Sequence, residues 1–476
     1  MKRFIEGEDR NQSTLFPECL EDYIAEDNPV RVVDVFVDAL DLGQLGFGRI
    51  DPKVTGRPAY HPAMLLKLYI YAYLNRVQSS RRIEREAQRN VELMWLTERL
   101  MPDHKTISDF RKDNKKAVRG VCREFVVLCR HLNLFTNALV VIDGSKFKAV
   151  NNRDRNFTRA KMKRRMAQVE ASLDGYFEQL EQADREESSI ADVKTVNLKD
   201  KISTLKQEMA RLSALEAQMQ AAPDKQVSLT DPDARSMKSR GNGIVGYNVQ
   251  TAVDAEHHLI VAHEVTNKGS DRSQLSPMAK QAREAMDTDD LTVIADAGYY
   301  KCEELLSCHE ANITANVPRP QTSGNQAKGL FGRKDFHYVP EKDEYRCPAD
   351  EHLIWRMTSK ENGLTIPRYW SSNCKTCSLK PQCTRGRERR VTRWEHEAIL
   401  EAMQERLDCD PEIMRVRRQT VEHPYGTLKL WMGSAHFLTR TLNRVSTEMS
   451  LQVLAYNLKR VMNILGVKPL IQAIQA

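Results

Sequence analysis

Three acidic residues and four cysteines carry the chemistry that can be read directly from this 476-residue chain. Two of the acids end apolar, β-branched runs, Ala138-Leu-Val-Val-Ile-Asp143-Gly144 and Leu291-Thr-Val-Ile-Ala-Asp296-Ala-Gly298. Such runs read as buried strands, each stopped by a glycine. A carboxylate at the end of a buried strand opens onto the sheet edge, where α/β folds place their ligands. Its desolvation has to be offset by a cation or by hydrogen bonds. A single strand-terminal Asp ordinarily serves the turn that follows it; two in one chain point to a divalent metal site. The third acid, Glu422, follows Arg415 and Arg418 at helical spacing, so the three side chains share one helix face. By itself this is a surface salt-bridge pattern. Joined to two aspartates, Glu422 becomes a third metal ligand with phosphate-binding cations beside it.

The cysteines suggest a different metal. Cys374-x2-Cys377 has zinc-knuckle spacing, Cys383 supplies a third thiolate and Cys347 a fourth, all within 37 residues. A closed four-cysteine site is structural rather than catalytic. Four free thiols are the competing reading, and His337 or His352 could stand in for Cys347. The other six cysteines show no ligand pattern and read as thiols.

These residues need elements to position them. Residues 131–157 read as the first part of a catalytic core and 158–235 as a helical-hairpin insertion. There, Met162, Met166, Val169, Leu173, Tyr176 and Leu180 answer Leu198, Ile202, Leu205, Met209 and Leu212 across a break near Ser188-Ser189. The hairpin is a spacer or a dimerisation arm. Residues 236–335 continue the core: Ser236 to Asn242 as a basic connector, then a β-hairpin (Gly246–Asp254 and Leu259–Thr266), a helix over 274–286 and the second aspartate strand. The order fits a mixed α/β core. Residues 336–395 form the Cys-rich insertion, and 396–476 the Glu422 helix, broken by Pro424, and C-terminal helices with one apolar face.

Ahead of the core, residues 1–130 read as helical. Leu15-Phe-Pro and Gly56-Arg-Pro58 punctuate the segment, and Pro62 opens a helix. Ser79 and Ser80 open another with hydroxyl caps, and Thr106 begins a capping box to Asp109. Arg81 and Arg82, at a helix start, are placed to touch phosphate. The segment is a DNA-binding module or a bundle that only packs on the core.

Length predicts two to four domains. The net charge of +7 is unevenly distributed: nine Lys or Arg residues, Lys146 and Lys148 among them, lie between Lys146 and Arg165 against one acid, and five arginines lie between Arg385 and Arg393. Both runs flank the acidic motifs, as a polyanion track would. The longest apolar stretch, Ala63 to Leu74, is interrupted by Lys67 and is too short to span a membrane. The first residues carry no apolar signal region, which predicts a cytoplasmic protein with reduced thiols.

The order Asp143, Asp296, Glu422 resembles the DDE triad of bacterial insertion-sequence transposases. The spacing of Arg418, Glu422 and Lys429 resembles the tyrosine-arginine-glutamate-lysine pattern of one branch, with Arg415 in the tyrosine place. Gly246-Tyr-Asn-Val-Gln250 and His257-His-Leu-Ile-Val-Ala262 resemble the second and third strands of their cores. The resemblance implies a ribonuclease H-like fold and binding of double-stranded DNA, both terminal inverted repeats and target. It implies cleavage and strand transfer with Mg2+ or Mn2+, as two ions held by Asp143, Asp296 and Glu422. Arg415, Arg418 and Lys429 would contact phosphates, and a nucleoid-associated homodimer would synapse two ends. A nuclease of the same fold that does not join strands, and a transposase-derived DNA-binding protein without catalysis, share most of these features.

Overall fold

The structure, a computed structural model, describes residues 19–51, 58–135, 137–151, 155–183, 189–222, 224–239, 242–320 and 324–476. The Leu15-Phe-Pro segment, Gly56-Arg57 and Ser188 lie outside them. Two structural units divide the chain, and strand β1 (Leu139–Lys148) runs from one into the other.

The larger unit holds residues 1–137, 144–269 and 420–476. It begins with helices α1 (Pro29–Asp38), α2 (Pro62–Leu74), α3 (Ser80–Ala87), α4 (Val91–Leu96), α5 (His104–Asp113) and α6 (Lys115–His131). Local chemistry sets their starts. Asn28 caps α1 by accepting from Val30 N, and Pro29 and Pro62 stand in the first turns of α1 and α2. Two expected caps differ. Ser79 makes no side-chain cap bond. The α5 cap is Asp103, whose carboxylate accepts from Thr106 N at 2.7 Å, because a charged acceptor three residues earlier outcompetes the Thr106 hydroxyl.

The insertion is an antiparallel pair, α7 (Arg159–Ala183) and α8 (Ser189–Ala221), framed by β2 (Asn156–Thr158) and β3 (Gln226–Ser228). Met162 and Val169 near its base pack with Leu212, Leu215 and Met219 in a core of their own. The basic connector is in fact a strand. β4 (Arg235–Ser239) pairs antiparallel with β5 (Asn242–Asp254), since alternation buries Met237 opposite Ile244. β5 also pairs antiparallel with β6 (Ile260–Thr266). At Gly246 a Cβ would lie 1.9 Å from the Phe147 carbonyl oxygen of β1, so the residue at this close approach has to be glycine.

The last residues of α13 (Ile413–Gly426) belong to this unit, followed by a π-turn (Thr427–Trp431), α14 (Leu442–Leu465) and α15 (Val467–Gln475). Pro424 does not break α13; the helix runs to Gly426 and the irregularity passes into the π-turn. Nor does α14 show the unit only one apolar face. It is buried on every side from Val445 to Leu458, packed against α2, α6 and β6. Two of its buried polar side chains are paired accordingly: Asn457 bonds both N and O of Ile260, and Glu448 accepts from Leu438 N and Thr439 N.

The smaller unit holds residues 138–143 and 270–419. The start of β1 runs parallel to β7 (Leu291–Ile294), and β7 parallel to β8 (Ile313–Asn316), with helices α9 (Leu275–Met286) and α10 (Cys302–His309) as crossovers. A second sheet contains β9 (His337–Val339), β10 (Glu344–Arg346), β11 (His352–Glu361), β12 (Leu364–Trp370) and β13 (Val391–Thr392), all antiparallel. Short α11 (Lys380–Cys383), then α12 (Glu397–Cys409) and the start of α13, complete the unit. The succession of β1, an antiparallel hairpin, then helix-strand-helix-strand in parallel is the ribonuclease H-like one, preceded by a helical region. Among the described residues no helix is long and apolar enough to cross a membrane.

Candidate active site

The register of two parallel strands brings the aspartates together. Val141 pairs with Ile294, and Asp143 and Asp296 each lie two residues further on. A period of two returns both side chains to the face of Val141 and Ile294, on strands about 4.8 Å apart. Like charges at that separation repel, and the smaller unit answers with a cation that the sequence reading missed. Arg417 Nη2 lies 2.9 Å from Asp143 Oδ1 and 3.3 Å from Asp296 Oδ2. The Arg417 side chain is 16% exposed, so the pair is far from fully hydrated. A signal for it existed: Arg417 shares a helix face with Thr420, Val421 and Pro424, all buried, while Arg415 and Arg418 lie on the exposed side.

Asp296 keeps its turn role as well. Oδ1 accepts from Gly298 N at 2.8 Å, and a Cβ at Gly298 would meet that oxygen at 2.8 Å. The turn fixes one carboxylate oxygen while Oδ2 faces Arg417.

Glu422 lies on α13 where the helix has passed into the larger unit, and it is exposed. Among the described residues, no group of three or more His, Cys, Asp or Glu side chains stands where it could hold a metal ion. Within the smaller unit the two aspartates stand at one point, with Arg417 between them.

The cations divide into two kinds. Arg418 is exposed with no hydrogen-bond or ion-pair partner among the described residues, and Arg415 pairs only with Glu412 at 3.2 Å in open solvent. Arg81 and Arg82 on α3 and Lys148 on β1 are exposed, whereas Lys146 is partly buried. Lys429, expected at a phosphate, is turned toward groups of the protein itself. Its ammonium donates to Ser145 Oγ at 2.6 Å and to the Lys146 carbonyl at 3.0 Å, over the Phe147 ring at 4.5 Å. The π-turn aims the side chain inward, at the part of β1 that follows Asp143.

In the smaller unit, Cys347, Cys374, Cys377 and Cys383 line one cavity of about 30 Å³, room for a single water-sized particle. His337 and His352 are not among its lining residues. The four share this cavity, but among the described residues they do not form a group that could hold a metal ion. Burial, with the three neighbouring thiols, raises the Cys383 pKa above its usual value.

Sequence comparison now bears on this arrangement. Residues 207–458, more than half of the chain, match the family described as "Transposase DDE domain". The chain belongs to that family. It is a transposase by descent, and residues 18–113 match a second one, "Transposase domain (DUF772)". A comparison with curated proteins finds no match. Among solved structures, the cryo-EM structure of a piggyBac transposase synaptic complex with hairpin DNA is similar at 9% identity. That match covers 94% of this chain and 79% of its own, with a TM-score of 0.30.

Proposed function

We propose that this transposase binds the terminal inverted repeats of an insertion sequence, cleaves DNA there and transfers the freed strand to a target. The observation that carries the reading is the pair Asp143 and Asp296, at equal register on neighbouring parallel strands with Arg417 between them. Two carboxylates with hard oxygen donors suit Mg2+ or Mn2+, and Glu422 joins them as the third acid on the strength of chain order. When bound, two such ions supply Lewis acidity toward the attacking oxygen and the leaving 3′-oxygen. Asp143 and Asp296 hold that charge at the sheet end, and the Gly298 amide keeps the Asp296 carboxylate from rotating. Arg417 neutralises the carboxylates until that charge arrives. Arg418, Arg415, Lys148, Lys146, Arg81 and Arg82 contact phosphates, and two copies of the chain bring two DNA ends together.

The test is cleavage and joining of an oligonucleotide carrying the element's own end. Asp143→Ala, Asp296→Ala and Glu422→Ala should each lower cleavage by about a hundred- to a thousandfold, on the scale of lost transition-state electrostatics, while end binding is retained. Full activity in any one removes that residue from the triad. Cleavage without joining by the unaltered protein would make it a nuclease. Neither reaction would make it a DNA-binding descendant.

For the four cysteines we propose structural zinc, which would displace the thiol protons and be shared by the resulting thiolates. Purified protein should then contain about one zinc per chain, and Cys374→Ser with Cys377→Ser should remove it and lower the melting temperature. Metal-free protein of unchanged stability would leave four thiols.

A further inference from the structure

A cleft begins one residue after Glu422. His423, Thr427 and Trp431 recur every four residues along the end of α13 and the π-turn. Tyr456, Lys459, Arg460 and Asn463 form a matching stripe on α14. The two stripes face each other across about 290 Å³, at the lower edge of the range of roughly 300–1,000 Å³ that small-ligand pockets occupy. Both belong to the larger unit.

The floor is closed by internal bonds. His423 Nδ1 meets the Tyr456 hydroxyl at 2.9 Å, that hydroxyl donates to the His258 carbonyl at 2.7 Å, and Arg460 Nε donates to the His257 carbonyl at 2.8 Å. The His258 and His423 rings stack at 5.4 Å. The rim is open. Trp431 is 66% exposed, and Lys459 and Asn463 have no hydrogen-bond or ion-pair partner among the described residues. No carboxylate lines the cleft. Leu430 beside Trp431 in the chain is 79% exposed, so two adjacent large apolar side chains meet solvent at the π-turn.

We propose that this cleft is a subsite for one unpaired nucleotide of a DNA strand, a reading that rests on DNA being the substrate. The indole face stacks on the base, the Lys459 ammonium receives its phosphate, and Asn463 reaches the base edge. The cationic rim argues against an apolar protein segment as the occupant, because covering Lys459 with one would strand a desolvated charge.

The full chain is titrated with two synthetic DNAs: a fully paired duplex, and the same duplex carrying one bulged 2-aminopurine, whose fluorescence falls on stacking. The unaltered protein should prefer the bulged DNA and quench its fluorescence. Stacking of one base is worth roughly 1–3 kcal/mol, about 5- to 150-fold. Trp431→Ala should therefore weaken bulged-DNA binding by about tenfold or more and leave paired-duplex binding within about twofold. Trp431→Phe should restore most of the preference, and Lys459→Gln should reduce it. Equal weakening of both DNAs, or of neither, overturns the subsite. So does a Trp431→Ala protein that keeps its bulge preference but sediments as a smaller species, which would make the patch a contact between copies. Failure of the unaltered protein to bind either DNA would instead overturn the DNA reading itself, and the subsite with it.

Discussion

Arg417 holds two carboxylates that would otherwise repel one another, so its removal has a signed consequence. The side chains are between 16% and 42% exposed, which screens the interaction, and Arg417→Gln should cost about 1–2 kcal/mol rather than the value for a fully buried pair. The same substitution should tighten Mn2+ binding, because the guanidinium competes with the ion for the same oxygens. A Mn2+ titration followed by thermal shift measures both effects together. Weaker Mn2+ binding by the variant would mean that Arg417 organises the carboxylates for metal instead of standing in for it. Arg417 was legible only in part. Its place on the buried face of α13 follows from periodicity, but its partners are 274 and 121 positions away in the chain and are met only through strand register.

At the scale of elements, Lys429 joins the π-turn to β1, and its two roles predict different salt behaviour. A phosphate contact released by Lys429→Met would flatten the salt dependence of DNA binding by about one unit of slope. A staple would leave that slope alone and cost about 1.5–3 kcal/mol of stability, the range for hydrogen bonds involving a charged group. We expect the second result, from binding isotherms at several salt concentrations and from urea unfolding. The β5–β6 hairpin carries a pH signature. His263 on β6, beside Ser450 of α14, is pushed down to about 4 by burial and by Arg119 and Arg123. Its neutral form contributes stability that is complete above the unfolded value of 6.5 and is lost as pH falls toward 4. Asp254, at the hairpin turn with His257 and Glu256, is raised by burial to about 6. It contributes stability below 3.8 that is lost as pH rises through 6, the opposite sign over the same window. The unaltered protein should therefore show a shallow dependence between pH 4 and 6. Asp254→Asn should leave the His263 effect uncovered, so that its melting temperature falls more steeply on acidification.

For the whole molecule, a net charge of +7 on 476 residues is too small to drive DNA binding by itself; placement has to do it. Arg81 and Arg82 on α3 are exposed cations of the helical region. If both meet phosphates, Arg81→Gln with Arg82→Gln should reduce the slope of log affinity against log salt by about 1.8. A bundle that only packs on the core would show no change.

The chain by itself determined the two strands that carry the aspartates, because β-branched runs closed by Asp and Gly leave few alternatives. It also determined the helical hairpin, whose two apolar stripes have nowhere to go except against each other. Local patterns misassigned β4, which looked like a connector because its strand character lies in one buried methionine opposite Ile244. They misassigned Pro424 too, since a helix held by packing at Thr420, Val421 and Tyr425 tolerates a missing amide. Only the tertiary structure decided the cation between Asp143 and Asp296, the inward turn of Lys429 and the open face of Trp431. Each depends on which distant backbone stands a few ångströms away, and charge and hydrogen-bond partners at that range are chosen by register and packing rather than by neighbours in sequence.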